Sequence, residues 1–454
     1  MNEALWNKIL QFELDHASGE YSFSIRLAGE NRWTKDFTEK TILEYKKFMY
    51  LAAISDVMVS PSAIVDVVWH QHLIFSQSYQ DFCALLGKNI QHVPSTHNKA
   101  QFEQFKKAAG QTQKLYTAHF GAQPENIWHN DHILDSLNLK PAKLTTGFFT
   151  LYGILALILL TIPFYLLLRP IYIHINNPYF ILGFLALAVA AHVILKLYTQ
   201  DRFKRIIDNF GKQSFIYHLK PFELIYLRSQ KLDEVINGTI SELIHAGVVR
   251  VGADQRMSIS GETDHLSDEQ LQVVAILKDK GNIFYHELLQ QLRTKHVFRN
   301  TLRSMDQIRF HFKQSQQFTR LFYLNFVVFA ALMMLPLIRL ITGISRDKPI
   351  FQVAILLGLF FVFIINHLYS LNQQFFSRTI PNLYKKAILP TINEKQDWRW
   401  DYFLHGSTVL TASLIPLVNY ERSRRGYGGG GDGSSSCGSS CGSSCGSCGG
   451  CGGD

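Results

Sequence analysis

The sequence predicts a mainly α-helical membrane protein. Two transmembrane helical hairpins, four spans in all, flank a small winged-helix-like α+β domain. A helical domain precedes them and a disordered tail follows. Three observations predict this. Four runs of about 20 mostly apolar residues, each long enough to cross a bilayer, stand in two close pairs. Apolar residues recur at helical spacing in the stretches outside them. The last residues are almost entirely Gly, Ser and Cys. Charged residues make up 18% of the 454-residue chain, against roughly 25% in soluble globular proteins. The shortfall is concentrated in the four runs. The formal net charge of +9 is therefore read locally, as topology beside the spans and not as a nucleic-acid surface.

Residues 1–143 read as a helical cytoplasmic domain. The opening MNEALWNKILQFELDHASGE has early acidic residues and no apolar signal core, so a cleavable signal peptide is not expected. In EYKKFMYLAAI, Tyr45, Phe48, Met49 and Ala52 fall on one helical stripe. Next comes VSPSAIVDVVWHQHLIFSQSYQDFC, where Ser60 or Ser62 caps a helix around Pro61 and Asp66 supports its first turn. Asp66, Trp69, His70 and His72 are the domain's candidate functional cluster. His70 and His72 are two apart, which on a regular helix turns them ~200° from each other. They cannot grip one ion together. His70 aligns with Asp66 and His72 with Ser76, each one turn away, which favours buried hydrogen-bonded histidines over ligands. Metal binding or catalysis is the alternative. His92, His97, His119 and His129 could join such a site only through the fold.

This segment, followed by LYTAHFGAQPENIW, resembles the N-terminal region of the glycine-rich domain-containing proteins over residues 40–130. Those share a Val-Asp-x-x-Trp-His-x-His core and a later Tyr-Gly-x-x-Pro-x-x-x-Trp element. Phe120 stands here in place of that element's Tyr. The resemblance brings no reaction with it.

The hairpins occupy 144–198 and 319–369. The apolar runs cover 146–168, 179–197, 321–341 and 350–369, joined within each pair by RPIYIHINNP and TGISRDKP. Lys140, Lys143, Lys196, Arg202, Lys204, Arg205, Arg303, Arg309, Lys313, Arg320, Arg378, Lys385 and Lys386 flank the outer ends of the pairs. Arg169, Arg339, Arg346 and Lys348 lie at the connectors, so the count is 13 against 4. The positive-inside rule then places both termini and the central domain on the cytoplasmic side of the membrane. The second connector is itself basic, which weakens the contrast there. Polar groups inside the runs are few and none is acidic. Asn325 and His192 are expected to hydrogen-bond across helices, and the missing carboxylates disfavour an ion- or proton-coupled transporter.

Residues 199–318 read as helix, helix and a two-stranded ribbon, followed by further helices. Leu232, Val235, Ile236, Ile240, Leu243 and Ile244 form the apolar face of the second helix, and Gly247 sits where a C-cap belongs. VVRVG and RMSIS, joined by ADQ, form a hairpin, and SDEQ is a helix-capping pattern. Winged-helix DNA binding would need a basic helix and wing. The ribbon has only Arg250 and Arg256, and the helix carries Asp233, Glu234 and Glu242, so no nucleic-acid partner is expected. This domain and its flanking spans resemble a family of bacterial membrane proteins of unknown function, over about half of the chain. The match rests on a Pro-[FY]-Glu-x-x-Tyr-Leu-Arg element, here Pro221, Glu223, Tyr226, Leu227 and Arg228. A helix ending in Gly247, Val248 and Val249 completes it. The resemblance implies a Gly/Cys-rich C-terminal tail, which this chain has.

Residues 370–425 read as a juxtamembrane cytoplasmic segment; LNQQFFSRTIPNLYKKAILPTI at its start reads as interfacial, and TVLTASLIPLV is too short to span a bilayer. Residues 426–454 carry Cys437, Cys441, Cys445, Cys448 and Cys451 in a Gly/Ser background that cannot bury a core. With Cys83 alone elsewhere, this is no disulfide framework. Zinc or another soft metal is the candidate cofactor of the tail, since thiolates in CxxC turns are its usual donors. A plain flexible tail is the simpler reading. Covalent modification is a third, since the Gly-Ser-Cys repetition resembles azole-forming precursor peptides. Palmitoylation is disfavoured by the distance from the last span.

No carboxylate dyad, phosphate-binding loop or nucleophile motif is present, so an enzyme is not favoured. The first functional expectation is a membrane scaffold or assembly component that displays cytoplasmic interaction domains, with the lipid bilayer and cytoplasmic proteins as partners. The second is metal or thiol handling by the tail. The third is a membrane-tethered enzyme built on the N-terminal histidines.

Overall fold

Helix capping and apolar periodicity account for most of the N-terminal part of the computed structural model, which describes residues 2–15, 20–93, 99–391 and 397–427. The first seven helices are α1 (Glu3–Gln11), α2 (Phe23–Asn31), α3 (Lys35–Ile54), α4 (Ala63–Ile74), α5 (Ser76–Leu86), α6 (Lys99–Phe120) and α7 (Glu125–Trp128). Helix α3 is their axis, with Tyr45, Phe48, Met49, Tyr50 and Leu51 all fully buried. Helix α4 starts where the Ser62 hydroxyl accepts the Val65 N–H at 3.2 Å and donates to the Ile127 carbonyl at 2.8 Å. One cap therefore also fixes α7. Buried Glu44 on α3 accepts from the Tyr116 hydroxyl, the Trp128 indole N–H and the Lys47 ammonium, each at 2.7 Å. That carboxylate satisfies three donors from α3, α6 and α7 where water is excluded.

The first hairpin is α8 (Thr146–Tyr172) and α9 (Asn177–Asp208). The central part comprises α10 (Pro221–Ser229), α11 (Leu232–His245), β1 (Val249–Val251) and β2 (Arg256–Ile259), then α12 (Asp268–Lys280), β3 (Ile283–Phe284), α13 (Tyr285–Leu292) and α14 (His296–Lys313). The second hairpin is α15 (Gln316–Ile344) and α16 (Phe351–Gln374). Helix α16 continues through a π-helical turn (Phe375–Thr379), α17 (Ile380–Leu383) and a second π-turn (Tyr384–Ile388). Two helices close the described chain, α18 (Trp398–His405) and α19 (Ile415–Tyr427).

Helices α8, α9, α15 and α16 are long and apolar enough to cross a membrane. Helix α15 is the centre of their bundle and packs on the other three. Phe329, Met334 and Ile338 of α15 are buried there against Phe184 and Phe360. Close approach of α8 depends on Gly153, where a Cβ would lie 2.3 Å from the Phe326 ring. Helix α8 buries none of its most apolar stretch, and Leu159, Ile162, Leu166 and Leu167 are 65–76% exposed. A surface of that size and character is compatible with lipid.

The two connectors meet at one end of the bundle. The Arg339 guanidinium donates to the Tyr172 carbonyl, to the Ile175 carbonyl at 2.6 Å and to Asn177 Oδ1 at 2.8 Å. The Asn177 amide donates to the Pro349 carbonyl at 3.3 Å. At the other end, the Gln316 N–H donates to the Lys140 carbonyl (2.7 Å) and the Ala142 N–H to the Gln314 carbonyl (2.9 Å). All described parts outside the hairpins therefore gather at this second end. Midway, Asn325 Nδ2 donates to the Leu321 carbonyl (2.8 Å) and reaches Thr199 Oγ1 on α9 (3.4 Å), while Asn325 Oδ1 lies 3.0 Å from His367 Nε2 on α16. Asn325 joins three helices as expected. His192 does not: its ring packs edge-on against His367 at 5.2 Å, and its Nδ1 has no hydrogen-bond partner among the described residues.

Three sequence expectations need correction. The helices outrun the apolar runs. Helix α9 extends to Asp208 because Phe203, Ile206 and Ile207 turn into the soluble core, which no bilayer limits. The ribbon is a three-stranded antiparallel sheet in the order β1-β2-β3, because Ile283 and Phe284 pair with Met257 and Arg256. The stretch read as interfacial, and the described residues after it, contribute to the soluble body: Phe375, Phe376, Ile380, Tyr384, Tyr402 and Phe403 are buried in the core shared by the N-terminal and central parts. The two π-turns re-aim the side chains away from a plain helical stripe, so no 3.6-residue period marks them.

Candidate functional site

Helix α4 presents the WHQH cluster on two opposite faces. Inward, His72 is fully buried, with Nδ1 2.8 Å from the Tyr45 hydroxyl and Nε2 3.1 Å from the Ser78 hydroxyl. Burial pushes its imidazole down to about 4, so the ring is neutral at pH 7. The expected partner Ser76 is replaced by Ser78. Helix α4 stops at Phe75 (φ −86°, ψ 62°), and the new helix α5 swings Ser78 back under the ring. His72 is thus a structural hydrogen-bonding residue.

Outward, Asp66 and His70 lie one turn apart, with Asp66 Oδ2 3.4 Å from His70 Nε2. A residue that α4 does not supply completes the group. His92, from the stretch after α5, places Nε2 3.1 Å from Asp66 Oδ1 and 2.9 Å from His70 Nε2. Trp69 braces it, since the His92 and Trp69 rings meet edge-on at 4.6 Å. The Trp69 indole N–H donates to the Tyr79 hydroxyl at 3.1 Å, and that hydroxyl donates to the Ile90 carbonyl, two residues before His92. Asp66, Trp69 and His92 border an open cavity of about 480 Å³. Among the described residues, Asp66, His70 and His92 are the group of three His, Cys, Asp or Glu donors close enough to share an ion. His97 and the five tail cysteines lie outside the described residues, and His119 packs on Tyr50, away from this group.

The Pro-Phe-Glu element forms a second site of a different kind. Pro221 opens α10, and the carboxylate of buried Glu223 accepts the Lys220 N–H at 2.8 Å. Its other oxygen accepts the Lys35 N–H at 2.9 Å, at the start of α3. One side chain therefore caps two helices that are 188 residues apart in sequence. Burial pushes this carboxyl up to about 7, against the two N–H donors and the Lys35 charge. Tyr226 donates to Asp306 on α14 at 3.1 Å, and Leu227 is fully buried. Arg228 donates to the Phe403 carbonyl and lies over the Phe403 ring at 5.8 Å. Gly247 follows α11 at φ 74°, which is the conformation its C-cap position requires. The element is a junction of three chain segments and contains no reactive arrangement. On α11, Asp233, Glu234 and Glu242 pair with Arg293, Arg422 and Arg399. The face read as a recognition helix is therefore engaged inside the body.

Sequence reasoning held His92 only as one of four histidines that the fold could bring in, and it missed Glu44 and the Lys35 end of the Glu223 contact. The one-turn spacing of Asp66 and His70 around Trp69 was the available signal, and nothing in the spacing singled out His92 as the third donor. No family model, no curated protein and no solved structure matches the chain.

Proposed function

We propose that the chain is a multi-pass protein of a bacterial cell membrane that acts as a scaffold or assembly component. It holds a helical body against the cytoplasmic face and presents the Gly/Ser/Cys tail there to protein partners. One observation carries this reading: every described part outside the hairpins shares one hydrophobic core and sits at one end of the four-helix bundle. A bundle so loaded supports a body on one face of the bilayer. The excess of Lys and Arg at that end favours the cytoplasmic face.

Impermeant-thiol labelling tests the topology in chains whose tail cysteines are changed to Ser. A reporter at Ser345→Cys is expected to label from outside intact cells, and one at Lys278→Cys only after lysis. The reverse pattern sinks the orientation. Cross-linking in cells tests the scaffold role: full-length protein is expected to capture a defined cytoplasmic set. Equal capture by an unrelated four-span protein sinks it.

The second reading, thiol or metal handling by Cys437, Cys441, Cys445, Cys448 and Cys451, rests on the sequence of the tail alone. Intact and native mass of the reduced protein, beside a chain ending at Gly426, tests it. Added or lost mass confined to the full-length chain supports it, and two unmodified masses remove it.

A further inference from the structure

We propose that Asp66, His70 and His92 form a binding site for one borderline divalent ion of the zinc class, separate from the tail and independent of the scaffold reading. The donors come from two places. Asp66 and His70 stand one turn apart on the outward face of α4, and His92 is delivered by the stretch after α5. The two Nε2 atoms are 2.9 Å apart; Asp66 Oδ1 lies 3.1 Å from that of His92, and its other oxygen, Oδ2, 3.4 Å from that of His70. Zinc bound tetrahedrally at 2.0–2.1 Å needs ligand atoms about 3.3 Å apart. The site therefore accepts the ion after movements of a few tenths of an ångström. Two imidazole Nε2 atoms facing each other at 2.9 Å can share only one proton. A cation between them satisfies both lone pairs and the carboxylate at once.

The donor set selects the ion. Two imidazoles and one carboxylate suit zinc and its first-row neighbours, whereas calcium takes six to eight oxygens and magnesium an octahedron of them. Three protein ligands leave a fourth position for water, the pattern of open zinc sites. Asp66 and His92 border the 480 Å³ cavity, so that position is reachable from solution. The supporting shell is present. Trp69 holds the His92 ring from the side, and the Trp69–Tyr79–Ile90 hydrogen bonds fix the chain two residues upstream. His72 takes no part, because both its ring nitrogens are engaged on the opposite face of the helix.

The test uses the full chain in detergent with all five tail cysteines changed to Ser, so that thiolates cannot answer. Equilibrium dialysis against Zn²⁺ with elemental analysis is expected to give one ion per chain. His70→Ala, whose side chain is 58% exposed, and His92→Ala should each weaken binding by more than the ~10–100-fold that loss of an outer-shell partner costs. Co²⁺ in the same chain should show tetrahedral d–d bands without thiolate charge transfer. The proposal is overturned by less than stoichiometric zinc in the tail-substituted chain. It is equally overturned by unchanged affinity in a folded His70→Ala protein, or by Ca²⁺ or Mg²⁺ competing at concentrations comparable to Zn²⁺.

Discussion

Glu223→Ala should loosen the junction between α3 and α10 without unfolding the spans. The substitution removes the acceptor for two backbone N–H groups, Lys35 at the start of α3 and Lys220 at the N-cap of α10. Each orphaned, poorly solvated donor costs ~1–3 kcal/mol. Removing a carboxyl that burial already disfavours as an anion offsets part of this. The net cost is about 2–4 kcal/mol, and at ~1.4 kcal/mol per tenfold change it lowers local exchange protection by about 30- to 700-fold. Hydrogen exchange with mass readout on the full chain in detergent measures it, at peptides covering the first turns of α3 and α10. Glu223→Gln keeps one acceptor oxygen and should lose roughly half as much free energy. The pH dependence has a definite sign. The folded carboxyl titrates near 7, above its ordinary 4.5, so its stabilisation is fully present below about 4.5 and is lost as pH rises through 7. The charges facing it are Lys35 and Asp36 from α3 and Lys220 beside α10, with the Tyr384 hydroxyl near the same turn. After correction for chemical exchange rates, protection should fall between pH 5 and pH 8 in the parent and stay flat in Glu223→Gln. Protection within threefold of the parent in Glu223→Ala would refute the reasoning, as would a junction that tightens as pH rises.

Three further outcomes follow from single contacts. His72→Leu leaves the buried Tyr45 and Ser78 hydroxyls unpaired and should cost ~2–4 kcal/mol, read as a lower urea midpoint for the N-terminal part. Arg339→Ala breaks a charged clamp from α15 onto the first connector and should cost about 3 kcal/mol, measured by SDS-driven unfolding of the bundle. Asn325→Leu removes hydrogen bonds among three spans but should cost only ~0.6 kcal/mol and no more than ~1.7, since intramembrane bonds are individually weak. The same SDS titration should rank Arg339 well above Asn325.

The spans and caps were legible in the sequence because local physics sets them. Bilayer thickness fixes the length of an apolar run, and Ser62, Ser267 and Gly247 act within a few residues of themselves. What could not be read is whatever depends on a distant partner. The Glu223 motif was visible, but its second donor is the Lys35 N–H, 188 residues away. His92 joins Asp66 across 26 residues and a helix break at Phe75. Residues 370–391 hid their core role because two π-turns shift Phe375, Phe376, Ile380 and Tyr384 off any single helical period.

The WHQH motif shows how one helix can serve a core and a ligand set together. With ~100° per residue, Trp69, His70 and His72 cannot share a face. His72 turns inward, neutral, and ties α3 to α5 through Tyr45 and Ser78. His70 turns outward beside Asp66, and Trp69 between them spends its N–H on Tyr79 and its edge on His92. Substituting both histidines at once would therefore mix two unrelated effects. Taken singly they separate: His72 moves the stability of the domain, His70 moves only its affinity for an ion, and a Trp69 substitution moves both. That ordering follows from helix geometry, so a His70 variant that unfolded the domain would contradict the placement of the whole motif.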